Sequence, residues 1–216
     1  MTKTTVWQDE YWLPVLQLYL RKPAGVKPTY SRDMVALGME LHVTPQILKV
    51  RMEQIANLST PRLEHIWEQY SGNPRRLTRA VRLWREMRGF GAADMFYEGV
   101  TVQESFEKDF HPLEENGKLT PVALILILDL YFKLVPSTMV EETPEVTDMA
   151  RLLKVSTELV TEVLHIYQLC DPYLNRNEIS LSPMLSPCQQ VWKRFGNSET
   201  EQLTAYAEEL KEYYKS

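Results

Sequence analysis

Displaced along itself by 112 residues, the chain meets its own pattern. Leu16, Leu18 and Tyr19 fall on Leu128, Leu130 and Tyr131, Leu20-Arg21 falls on Phe132-Lys133, and Leu41 and Val43 then fall on Leu153 and Val155 without a gap. The matched positions keep a helical period. Met34, Leu37 and Leu41 lie over Val146, Met149 and Leu153 at i, i+3, i+7, and Leu48, Met52 and Ile55 over Val160, Leu164 and Tyr167 at i, i+4, i+7, whereas strands would alternate. Hydroxyl residues suited to helix N-caps coincide, Ser31 with Thr143 and Thr44 with Ser156, and Pro45 and Pro144 sit at first helical positions, where a missing N–H costs nothing. A chain with this period must bury one face of several helices twice over.

Beyond this window the second copy carries extra residues, CDPYLNRNEISLS, and the correspondence then resumes. Ile66-Trp67-Glu68-Gln69-Tyr70 lies on Val191-Trp192-Lys193-Arg194-Phe195; a Gly-Asn break follows in each, and Leu77-Thr78 lies on Leu203-Thr204. The expected fold is all-α, an internal duplication of a four-to-five-helix unit, with domains at 1–88 and 120–216. Residues 89–119 form an ordered strap between them, rich in acidic residues and in the aromatics Phe90, Phe96, Tyr97, Phe106 and Phe110, because free linkers lack such apolar anchors. Within the extra residues, YLNRNEISL reads as a short β-hairpin turning at Asn175-Arg176-Asn177, or as a plain ordered loop.

The repeated element, helix to Val43-Thr44 to helix and helix to Val155-Ser156 to helix, resembles a helix-turn-helix. Gly38 and Ala150 supply the small residue where the helices cross, and Leu48 and Val160 the aliphatic inside the second helix. Two departures stand out: the glycine usual at the turn is His42 in one copy and Lys154 in the other, and a late apolar position is Arg51, where the second copy keeps Val163. The missing glycine implies either a different backbone conformation or strain.

Charge separates the copies. Residues 1–88 hold fourteen Lys and Arg against eight Asp and Glu, and residues 89–216 hold ten against twenty-one. In the second copy the outward residues of the second helix, Thr157, Glu158, Thr161 and Glu162, put carboxylates where phosphates would lie, so DNA is excluded there. In the first, Gln46 and Lys49 on that helix, with Lys27, Arg32 and an arginine-rich final helix, allow phosphate contact. Arg75, Arg79 and Arg82 share one face of that helix at i, i+4, i+7, flanked by Arg76. A solvated face competes with this reading, as does pairing with the acidic final helix, which carries Glu201, Glu208 and Glu209, within the molecule or across a homodimer.

Nothing in the chain spells out catalysis. His42, His65, His111 and His165 are scattered, no GxGxxG, P-loop or GxSxG occurs, and no metal or cofactor is expected. Cys170 and Cys188 read as small buried hydrophobes. The apolar run VALILILDLYF is too short to span a bilayer and carries Asp129, and the N-terminal residues resemble no export signal. The expected location is the cytoplasm, with no membrane association. The phrases YWLPVLQLYLRKP, FYEGV, ESFEKDF and DPYLNR are similar to a family of uncharacterised proteins of Bacteroidetes-type bacteria, which implies a bacterial origin and carries no activity onto any residue. The functional expectation is a non-enzymatic adaptor that contacts proteins, through Glu158, Glu162, Glu201, Glu208 and Glu209 among others. Its alternative is a DNA-associated transcriptional regulator working through the basic unit.

Overall fold

A computed structural model describes residues 7–90, 106–174 and 181–215, with backbone alone at 88–90. The chain divides into two compact units, Met1–Ser105 and Phe106–Ser216. The described residues contain ten α-helices and no strand.

In the first unit a 3-10 turn, Asp9–Tyr11, leads into α1 (Trp12–Leu20), followed by α2 (Arg32–Leu41), α3 (Pro45–Ala56), α4 (Pro61–Tyr70) and α5 (Pro74–Phe90). Helix α1 is the centre: α2, α3 and α5 all pack on it, and its Val15 and Leu16 are fully enclosed. Helix α5 meets it with Leu77, Val81 and Trp84, a buried stripe at i, i+4, i+7. Each such side chain contributes about 1.5–3 kcal/mol when removed from water.

The second unit opens with a 3-10 turn, Phe106–Phe110, then α6 (Pro121–Lys133), α7 (Pro144–Leu153), α8 (Thr157–Cys170), α9 (Leu185–Phe195) and α10 (Thr200–Lys215). Here α6 is packed by α7, α8, α9 and α10. A helix covered on every side needs no polar face, and every residue from Val122 to Tyr131 is buried; this is why its sequence is almost uniformly apolar. The one charge inside it, Asp129, is 2% exposed. It is held by Thr204, whose hydroxyl donates to Oδ1 at 2.7 Å, and by Lys133, whose ammonium reaches Oδ2 at 2.6 Å.

The two units run through their helices in the same order. Four pairings recur: α1 with α2, α3 and α5 beside α6 with α7, α8 and α10, and α2 with α3 beside α7 with α8. The fourth helices agree only in part: α9 packs on α6 and α8, while α4 packs on α5 and meets α1 more lightly, through Trp67. Individual contacts recur as well. Gln17, matching Asp129, donates to Thr78, matching Thr204, at 3.4 Å. Tyr19 meets Trp67 edge-on with centroids 6.1 Å apart, and Tyr131 meets Trp192 in the same way at 5.7 Å.

At the turns between α2 and α3 and between α7 and α8 the glycine-type backbone is kept without glycine. His42 (φ 54, ψ 40) and Lys154 (φ 60, ψ 41) are both left-handed, so the alternative of a different conformation is set aside. The N–H of Val43 reaches back to Gly38 O at 2.9 Å and that of Val155 to Ala150 O at 3.0 Å, closing the same helix stop twice. The expected caps need correction. Ser31, Thr44, Thr143 and Ser156 all occupy N-cap positions, but only Ser156 accepts from a backbone N–H, that of Leu159. Thr143 instead donates to Thr138 O at 2.5 Å. The N-cap backbone separates the cases, not the proline: Ser31, Thr44 and Thr143 enter their helices with φ of -59, -63 and -64, whereas Thr60 and Thr120, each also followed by Pro, enter at -142 and -121. Side-chain capping falls to Thr60 and Thr120 as well, which accept from Leu63 N and Ala123 N.

Candidate interaction surfaces

Helix α3, which follows the turn at Val43-Thr44, buries Leu48, Met52 and Ile55. Its outward side carries Gln46, Ile47, Val50 and Glu53; Ile47 is 38% exposed and Val50 52%. Gln46 is engaged, its amide donating to the Tyr30 hydroxyl, and Lys49 is half-buried. Arg51, the departure from the motif, lies with its guanidinium over Trp7 at 4.6 Å and near Trp12 at 5.6 Å. It donates to Gln54 Oε1 at 2.9 Å. A cation stacked on indole faces replaces the aliphatic packing expected there. The exposed aliphatics were missed in the sequence, although Ile47 and Val50 lie off the Leu48, Met52, Ile55 stripe and so had no place in the core.

In α8 the corresponding residues Glu158 and Glu162 are exposed, while Thr157 and Thr161 are half-buried. Thr157 donates to Glu141 at 2.9 Å, Thr161 to the carbonyl of Thr157 at 3.0 Å, and Ser182 to Glu162 at 2.8 Å.

The basic candidates separate into engaged and outward groups. Lys27 is engaged: its ammonium donates to the carbonyls of Arg21, at 2.6 Å, and Pro23. Burial lowers its pKa, with Asp33 pulling the other way. Arg32 is exposed in the first turn of α2. On α5, Arg75, Arg79 and Arg82 occupy the side opposite Leu77, Val81 and Trp84, and all three are exposed, as is Arg76. Arg76 lies over the Tyr70 ring at 5.3 Å, and Arg82 meets Glu86 at 3.5 Å. Arg85 grips Glu40 of α2 through two bonds of 2.6 and 2.9 Å, which raises its pKa. Among the described residues, Arg75 and Arg79 make no ion pair.

On α10 the buried stripe is Leu203, Ala207 and Leu210, and Glu201, Glu208 and Glu209 are exposed. Glu208 accepts from Lys211 at 2.5 Å, which lowers its pKa. The later part of the expected strap belongs to the second unit. Phe110 is buried with its ring 5.0 Å from that of Tyr213, and Asp109 holds Arg194 through two bonds of 2.7 Å. Phe96, Tyr97, the side chain of Phe90 and the hairpin expected at Asn175-Arg176-Asn177 lie outside the described residues.

All four histidines are exposed, and among the described residues no group of three His, Cys, Asp or Glu side chains is placed to hold a metal ion. Cys188 is buried and Cys170 half-buried; burial pushes the Cys170 thiol up to about 11, which leaves little thiolate for chemistry at neutral pH. No described helix is long and apolar enough to cross a membrane. Compared with known proteins, the chain matches no family model, no curated sequence and no solved structure.

Proposed function

We propose that this protein is a helical adaptor, built by duplication of one five-helix unit around a helix-turn-helix-like turn, and that it contacts other proteins rather than catalysing a reaction. The recurrence of the Gln17–Thr78 and Asp129–Thr204 pairs, and of the left-handed turns at His42 and Lys154, supports the duplication. The observation that carries the function is the outward side of α3, where Ile47 and Val50 stand exposed beside Glu53. A groove-reading helix presents donors to phosphates and base edges; aliphatics beside a carboxylate suit a protein surface. The acidic outward side of α8 repels nucleic acid and suits basic partners. The test is a photo-crosslinking residue placed at Val50, with Glu64 on α4 as the control position, in cells that produce the full chain. A discrete protein adduct from position 50, absent from position 64 and lost with Ile47→Glu, is expected. Equal labelling from both positions would refute the reading.

A second reading, a DNA-associated regulator, is favoured by Arg75 and Arg79, which make no ion pair among the described residues and share one face with Arg82. Binding of a generic duplex that falls steeply with salt and disappears in R75A/R76A/R79A would establish it. Three lost phosphate contacts would reduce the salt slope by about 2.7.

A further inference from the structure

The last helices of the two units hold matching places and opposite charge. Helix α5 packs on α1 and α10 on α6. Their buried stripes coincide, Leu77, Val81 and Trp84 with Leu203, Ala207 and Leu210, and their flanking threonines, Thr78 and Thr204, bond the matching residues of the central helices. This alignment puts Arg75 in the place of Glu201 and Arg82 in the place of Glu208, with Arg79 matched by Ala205. All six are exposed.

From this charge reversal we infer that the chain associates with a second copy of itself, α5 of one molecule lying against α10 of the other. The inference rests on the protein-contact reading of Glu201 and Glu208. In each helix the outer pair of charges is separated by two turns, about 10 Å along the axis, so an antiparallel crossing brings Arg75 to Glu208 and Arg82 to Glu201 at once. Ala205, the small residue between the two glutamates, leaves room for Arg79 at the centre of the crossing. The local partners of two of these groups, exposed Glu86 for Arg82 and half-buried Lys211 for Glu208, are neighbours on the same helix at i+4 and i+3. Such pairs contribute little and exchange readily. Each molecule carries one face of each sign, so a second copy offers the complement of both.

Sedimentation and light scattering on the full chain in about 20 mM salt test this. The expected mass is twice 25.3 kDa, reverting to monomer in 0.5 M salt, where charges are screened beyond about 4 Å. R75E/R82E and E201R/E208R should each be monomeric, with at least about tenfold weaker self-affinity. Their equimolar mixture should dimerise, because the first then carries two acidic faces and the second two basic ones. Unchanged helical circular dichroism checks that both variants fold. A wild-type chain that is monomeric at low salt would overturn the inference. So would a dimer indifferent to the substitutions, a mixture that stays monomeric, or duplex DNA taken up on the Arg75 face of a monomer. The crosslinking at Val50 is independent of all these outcomes, so failure here and failure of the adaptor reading are separable.

Discussion

Replacing Thr204 with valine removes one hydroxyl and keeps the shape. In the native unit that hydroxyl donates to Asp129 Oδ1 at 2.7 Å, and Asp129 is 2% exposed. A hydrogen bond to a charged acceptor contributes about 1.5–3 kcal/mol. Lys133 continues to hold the other oxygen at 2.6 Å, so the carboxylate is not left bare and the loss falls toward the lower end, about 1–2 kcal/mol. The matching change in the first unit, Thr78→Val, removes a neutral bond of 3.4 Å at an exposed position and should cost under about 0.5 kcal/mol. Native-state hydrogen exchange read by mass spectrometry separates the units. Amides of α6 should exchange about five- to thirtyfold faster in T204V, while amides of α1 in T78V should barely change. Equal effects in the two variants, or no effect in T204V, would refute the view that Thr204 is there to hold a buried charge.

Lys154→Gly should stabilise the second unit by about 0.5–1 kcal/mol, because a left-handed Lys at φ 60 bears a cost that glycine does not; urea unfolding followed at Trp192 measures it. Asp109→Asn, which weakens the two-bond grip on Arg194 at a carboxylate only 14% exposed, should cost about 1–3 kcal/mol in the same assay. Arg51→Ala should redden and quench the fluorescence of Trp7 and Trp12 as the stacked guanidinium is lost. Thiol labelling of the native chain at pH 8 should modify neither cysteine within an hour. Thiolate is the reactive form, so raising the pH toward 11 should release Cys170 first, the less buried of the two.

Much of the architecture was legible because helical period and helix-stop chemistry are local. The stripe Leu48, Met52, Ile55 and the prolines opening α3 and α7 lie where the spacing predicts them. What was not legible depends on side chains far apart in sequence. Whether Thr44 or Thr60 caps a helix depends on the backbone each enters, and both look alike as letters. Arg51 reads as a flaw in an apolar pattern until Trp7 and Trp12 are seen beneath it. Asp109 reads as one acid in an acidic strap until Arg194, from much later in the chain, closes on it. Charge type was visible along the whole chain, but which arginines are spent inside a unit was not: Arg85 is paired with Glu40 across two helices, and its neighbour Arg79 is not.

Apart from the 3-10 turn Phe106–Phe110, the elements that pack on α6 all come after it, and the last of them, α10, ends at Lys215. A ribosome adding about 5–20 residues per second needs roughly 4–17 s to pass from Tyr131 to there. Throughout that interval the segment VALILIL lacks its α-helical covering and has no charge and no proline, the composition that nucleates β-aggregates. Production at low temperature or with extra chaperone should therefore improve yield more than any change to the finished surface.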